Sequence, residues 1–216
     1  TKIEDKNKGD ALSYTVSTKK GKGFFPNKKA IYNSCGCCRV AMDFDTVQLP
    51  VVMWRNIYGD HIRDHALVKF KDRTTAGTPV RVSHDQWQVE ACPHHGPGLS
   101  ITKDGIYHAV WFNNGPERRG IFYANSTNQG QNFDNPITIG NYDRGASHAH
   151  ILSLGKRVYI TWLEFSEKES QLLVQYSNDK GQHWSSPAQI ATGPGNSDRP
   201  FLLEKNDQVY ISWQQH

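Results

Sequence analysis

Four tryptophans close four short apolar runs in this chain: Val51-Val52-Met53-Trp54, His108-Ala109-Val110-Trp111, Tyr159-Ile160-Thr161-Trp162 and Tyr210-Ile211-Ser212-Trp213. They are spaced 57, 51 and 51 residues apart (111 − 54, 162 − 111, 213 − 162). A fixed period in this range is the mark of a repeat architecture, in which no unit can bury its apolar face alone. The apolar runs are β-rich and are bounded by Gly, Asn, Asp and Pro, so each unit is a small sheet. Small sheets repeated around an axis make a β-propeller.

The turns repeat as well. Fifteen residues after Trp111 and after Trp162 the chain reaches Ser126-Thr-Asn-Gln-Gly130-Gln-Asn-Phe133 and Ser177-Asn-Asp179-Lys-Gly181-Gln-His-Trp184. Ser17-Thr-Lys-Lys-Gly21-Lys-Gly-Phe24 is a weaker copy, and the stretch after Trp54 has lost the turn. An Asp or Asn side chain there caps backbone N–H groups, Gly takes a positive φ, and the closing aromatic packs on the sheet. Ser177, Asp179, Gly181 and Trp184 resemble the Asp box of the bacterial neuraminidase repeat, found in sialidases and sialidase-like propellers. The resemblance covers nearly the whole chain at the level of the repeat. It implies an all-β propeller in which the box is a structural turn on a blade's outer edge.

The repeat phase sets the blade count. The last copy stops three residues after Trp213, and the N-terminal strand, turn and strand supply what it lacks. The expectation is a single domain over 1–216 with four blades: 38–84, 94–140, 147–191, and a composite of 197–216 with 10–33. Closure between the termini removes exposed sheet edges. The alternative is a fragment of a six-bladed sialidase-like propeller.

A chain of 216 residues with 6 Trp, 9 Tyr and 9 Phe can build a full core. The net charge of +4 comes largely from lysines scattered over the first 29 residues, with no dense block and no nucleic-acid motif. Nucleic acid is therefore not an expected partner. No apolar run is long enough to span a membrane as a helix. The chain opens at Thr1, and the reading is a processed form from the periplasm or outside.

Cys35, Cys37 and Cys38 lie in Ser34-Cys-Gly-Cys-Cys-Arg39, and Cys92 lies in Ala91-Cys-Pro-His-His-Gly96. An even count in an extracytoplasmic chain points to two disulfides, with Cys37 or Cys38 bonded to Cys92 across neighbouring blade starts. The other reading is thiolate ligation of a metal.

Inner propeller strands run along the channel, so the residues just before them gather at one mouth. In blade order these are Cys37-Cys38-Arg39, His94-His95-Gly96, His148-Ala149-His150 and Ser197-Asp198-Arg199. The expected metal ligands are His95, His148 and His150, with His94, Cys38 and Asp198 as further candidates. Copper fits this set before zinc, and calcium would need more carboxylates. In His148-Ala149-His150 strand alternation sends both rings to one face.

The family resemblance implies one further activity. Sialidases grip a substrate carboxylate with three arginines and use a Tyr–Glu pair with an Asp. Arg55, Arg63 and Arg199 are candidates for the arginines, with Tyr123, Glu164 and Asp64 for the rest. The motif Phe/Tyr-Arg-Ile-Pro is absent, and Asp198-Arg199-Pro200 is only an echo of it. The enzyme reading is therefore set below a binding role. Arg63 either pairs with Asp60 or Asp64 at the surface or reaches the mouth with Arg55 to hold an anion. The remaining class is a propeller that binds a glycan or another protein through polar loops at 56–64, 113–119 and 164–170.

Overall fold

A computed structural model describes residues 9–215 except 19, 167, 196 and 198. The chain is an all-β propeller. Its strands are β1 (Asp10–Tyr14), β2 (Lys28–Ser34), β3 (Ala41–Phe44), β4 (Pro50–Arg55), β5 (His65–Asp72), β6 (Thr75–Ala76), β7 (Val80–Arg81), β8 (Gly98–Ile101) and β9 (Tyr107–Asn114). They continue with β10 (Arg119–Ser126), β11 (Ile137–Ile139), β12 (Ser147–Leu154), β13 (Arg157–Phe165), β14 (Glu169–Ser177), β15 (Ala188–Pro194), β16 (Phe201–Lys205) and β17 (Gln208–Ser212).

Three antiparallel sheets follow chain order: β3-β4-β5-β6 with β7 also on β5, then β8-β9-β10-β11, then β12-β13-β14-β15. The first strands of successive sheets touch, β3 with β8, β8 with β12 and β12 with β16. These are the inner strands. Gly98 permits the closest approach, since a Cβ there would lie 2.9 Å from Val110 Cγ1 and 3.2 Å from Ile151.

The second strand of each sheet carries the tryptophan and is buried on both faces, which is why its run is apolar without alternation. Each indole packs toward the preceding sheet. Trp162 joins Val110, Ile121 and Ile139; Trp111 joins Val51, Met53 and Leu67; Trp54 joins Ile31, with Leu12 and Tyr14 at the margin. The β1–β2 hairpin thus occupies, on the first sheet, the place that the first sheet occupies on the second. A buried indole N–H needs an acceptor. Trp54 donates to Asn56 (3.1 Å), Trp162 to Glu164 (3.0 Å) and Trp111 to Asp85 (2.8 Å).

The β16–β17 hairpin packs on β12 and β13, and its outer residues Leu203 and Tyr210 stay exposed. Among the described residues β1–β2 and β16–β17 form two separate two-stranded sheets.

The repeated turns share one hydrogen-bond pattern. Ser17 Oγ, Ser126 Oγ and Ser177 Oγ accept from Gly21, Gly130 and Gly181 at 2.7, 2.9 and 2.8 Å. Those glycines have φ of 87°, 79° and 87°. The Asp179 carboxyl accepts from His183 N, bonds the His183 ring and accepts from Ser177 Oγ, which together hold it well below the usual carboxylate range. Trp184 closes the turn edge-on against Tyr123, with ring centroids 4.8 Å apart. In the first sheet the corresponding turn is replaced by a tight one in which Asp72 accepts from Thr74.

Candidate functional site

The segment between β2 and β3 turns sharply, with Cys35 N donating to Arg55 O (2.9 Å) and Cys38 N to Cys35 O (3.1 Å). The turn brings three cysteines together. Cys37 is disulfide-bonded to Cys92, which links the approach to β3 with the approach to β8. Cys35 and Cys38 are free, buried thiols rather than the second disulfide expected from an even count. Their sulfurs lie 3.2 Å apart, and Cys35 Sγ lies 3.5 Å from Cys37 Sγ.

Among the described residues, two groups of three ligand-type side chains have donor atoms within 4.8 Å of one another. They are Cys35–Cys37–Cys38 and Cys37–Cys92–His94. Cys37 belongs to both. The first group is mostly buried, while Cys92 and His94 are exposed. The Cys38 hydrogen bond is the main cause that lowers the Cys35 thiol to about 6, with Arg63 and Arg55 adding to it and burial opposing it. The same hydrogen bond, together with burial, pushes Cys38 up.

Arg55 is the buried centre of this region, at 1 % exposure. Its guanidinium donates to the carbonyls of Arg63 (2.8 Å), His95 (3.0 Å from Nη2) and Phe112 (2.7 Å), and it stacks on Trp87 at 4.7 Å. Charge beside the thiols and planar bonding to three backbone segments are its two roles. Arg63 donates to Val89 O (3.1 Å). The surface pairing expected for Arg63 goes elsewhere: Asp64 is paired with Arg81, and Asp60 accepts from Gln88.

The mouth forms where the blade starts were expected to meet. Arg39, His95, His148, Arg199 and Phe112 line one cavity of about 10 Å³. That is room for about one water. The His95 ring stacks on Phe112 (4.1 Å) and on His148 (5.1 Å). Burial first, then the charges of His148, Arg55, Arg199 and His94, lowers His95 to about 3. Gly96 is required beside it, because a Cβ there would overlap Arg39.

The two rings of His148-Ala149-His150 are used differently, contrary to the alternation argument. The β12–β13 register shifts between Ser147 and His150, and His148 has φ +56°. His148 therefore faces the cavity. His150 turns to β16, where its Nδ1 accepts from Leu202 N (3.2 Å) and its ring meets Phe201. Asp198 lies outside the described residues. Arg199 donates to His94 O.

The sialidase candidates do not share a site. Tyr123 is hydrogen-bonded to His108 (2.8 Å), Glu164 is held by Trp162, Asn141 and Arg144, and Asp64 is held by Arg81.

Phe112 was not among the residues expected at the site, whereas Arg39 was placed at the mouth by its blade-start segment without being named as a ligand. The close Cys35–Cys38 pair also carries a sequence signal, the Cys-x-x-Cys spacing.

No family model matches this chain, and no curated protein matches it. Solved structures do. An exo-1,5-α-L-arabinanase from a bovine ruminal metagenomic library superposes with a TM-score of 0.54 at 14 % identity, over 95 % of this chain and 81 % of that one. An α-L-arabinofuranosidase from Clostridium thermocellum superposes with a TM-score of 0.51 at 13 % identity, over 80 % of this chain and 59 % of that one. This chain thus spans about three fifths of the arabinofuranosidase. At such identities the likeness is one of fold.

Proposed function

We propose that this propeller is an extracytoplasmic transition-metal-binding protein, copper before zinc, with Cys35 and Cys38 as its principal ligands. The observation that carries the reading is the pair of free, buried thiols 3.2 Å apart within a cluster of four cysteines. Soft thiolates select Cu(I). Structural zinc wants four ligands in a tetrahedron. While Cys37 and Cys92 are bonded to each other, only two thiolates are free at this cluster. That number suits Cu(I) and leaves zinc short. Arg55, buried beside Cys38, offsets the negative charge that two thiolates and one Cu(I) leave behind.

His94 places an imidazole nitrogen within 4.8 Å of the Cys37 and Cys92 sulfurs. His95 and His148 form the neighbouring wall of the mouth, and His150 is engaged with Leu202. A disulfide fits an oxidising compartment, and the periplasm or the exterior is the proposed location. No helix among the described residues is long and apolar enough to cross a membrane. The four-blade count, with the two terminal hairpins as one composite blade, is part of the same proposal. It is supported by the blade-like packing of β1–β2 on the first sheet.

A glycan-binding role is the second reading, favoured by the fold shared with the arabinan-type hydrolases. The 10 Å³ cavity admits no sugar ring, so a glycan would lie across the mouth rather than in it.

The test is elemental analysis after anaerobic incubation with Cu(I), or separately with Zn(II), and desalting. About one copper per chain, retained in His148→Ala and His150→Ala and lost in Cys35→Ser with Cys38→Ser, supports the reading. No retained copper in the wild type contradicts it and moves weight to the glycan reading.

A further inference from the structure

The free dithiol and the disulfide sit side by side, and thiolates attack disulfides. Cys35 Sγ is 3.5 Å from Cys37 Sγ and 3.2 Å from Cys38 Sγ. Reacting atoms held at about 3–3.5 Å are in near-attack range. Cys35 therefore stands between a disulfide it can open and a thiol that can resolve it. The burial differs across the cluster: Cys35 and Cys38 are buried, Cys37 is half-buried, and Cys92 is exposed.

We propose that the four cysteines form an intramolecular thiol–disulfide exchange centre, which moves the disulfide inward and delivers an exposed Cys37/Cys92 dithiol beside His94. In the first step the Cys35 thiolate attacks Cys37 Sγ. The Cys35–Cys37 bond forms, the Cys37–Cys92 bond breaks, and its electron pair leaves on Cys92. In the second step the Cys38 thiolate attacks Cys35 Sγ. The Cys35–Cys38 bond forms, and Cys37 leaves as a thiolate. One disulfide is present before, between and after the steps, so no outside oxidant or reductant enters. The two protons given up by Cys35 and Cys38 are taken up, through solvent, by Cys37 and Cys92.

The product is a second soft-donor set. Cys37, Cys92 and His94 already hold their donor atoms within 4.8 Å of one another. With the sulfurs reduced they become two thiolates and an imidazole at the surface, which suits a Cu(I) or Zn(II) ion delivered from outside or an external disulfide. The exchange also decides which pair of thiols is on offer, the buried one or the exposed one. It stands whether or not copper binds at Cys35 and Cys38.

The test maps disulfides in the whole, metal-free chain under anaerobic conditions near pH 8. Samples are acid-quenched, alkylated and digested, and the bonded cysteines are read by mass spectrometry. The expected result is one disulfide per wild-type chain in two connectivities, Cys37–Cys92 and Cys35–Cys38. Cys38→Ser is expected to stop at the first step and accumulate Cys35–Cys37 with Cys92 alkylated. Cys35→Ser is expected to show Cys37–Cys92 alone. Near-ultraviolet circular dichroism checks that each variant is folded, and the wild-type arm needs no variant. Finding Cys37–Cys92 alone in all wild-type chains, with Cys35 and Cys38 fully alkylated, overturns the proposal. Copper retention measured on the same wild-type sample is a separate readout, so failure of the metal reading is distinguishable from failure of the exchange.

Discussion

The imidazole of His95 stacks on that of His148, with ring centroids 5.1 Å apart and planes 27° from parallel. Burial is the main cost of charging His95, and two cations sharing that contact add to it. Its folded pKa of about 3 lies below the ordinary 6.5. The unfolded chain therefore binds the proton first, and stability is lost as pH falls from 6.5 toward 3. His150, lowered to about 4 by burial and Arg39, acts in the same direction. The expected loss through His95 is about 2–4 kcal/mol, discounted for the partly open ring. Urea unfolding of wild type and His95→Gln across that range checks it. Parallel profiles would remove His95 as a cause.

Arg55 closes three backbone segments with one guanidinium. Arg55→Met leaves the carbonyls of Arg63, His95 and Phe112 without that donor in a buried place. The expected loss is about 3–5 kcal/mol by chemical denaturation. Arg55→Lys should recover little, because an ammonium cannot reproduce the planar fork. Full recovery by lysine would mean that charge alone matters there.

The turn glycines separate two kinds of strain. Gly181 has φ +87°, and a Cβ on it would run into the Tyr123 ring. Gly155 has φ +61°, and a Cβ on it would meet nothing within 4 Å. Gly155→Ala should cost about 1 kcal/mol, the backbone cost alone. Gly181→Ala adds overpacking and should cost about 2–4 kcal/mol. Equal thermal shifts in the two variants would contradict the packing account.

Much of the fold was legible because its causes are local in sequence. Trp54, Trp111 and Trp162 sit on strands buried on both faces, so the period shows through the apolar runs. Ser126 and Ser177 open turns whose serine Oγ and Asp179 Oδ1 hydrogen bonds lie within seven residues, and these were readable too. The convergence of Arg39, His95, His148 and Arg199 followed from their common position before the inner strands.

What the sequence hid depends on backbone detail and distant partners. The register shift before His150 and the positive φ of His148 break strand alternation, and nothing in Ser-His-Ala-His announces them. Leu202 N, 52 residues from His150, takes the Nδ1 that looked free for a metal. Which of Cys35, Cys37 and Cys38 meets Cys92 is decided by a turn one hydrogen bond wide, Cys38 N to Cys35 O. The sequence left open whether Arg55 binds an anion, and its three carbonyl partners, which lie on separate segments, are not legible there.

The Cys35 thiol offers a further check on the cluster. Lowered to about 6 chiefly by the Cys38 hydrogen bond, it should be largely thiolate at neutral pH. Thiolate absorbance near 240 nm should rise with a midpoint close to pH 6 in wild type and at a higher pH in Cys38→Ser. An unchanged midpoint in Cys38→Ser would show that the arginines, not Cys38, hold the thiolate.

The most direct measurement is X-ray absorption at the copper edge of the anaerobically Cu(I)-loaded protein. The account predicts a shell dominated by two sulfur scatterers, present in the wild type and in His148→Ala and absent when Cys35 and Cys38 are both serine. A first shell of nitrogen and oxygen alone, unchanged by the serine substitutions, would contradict it and return the metal to the histidines of the mouth.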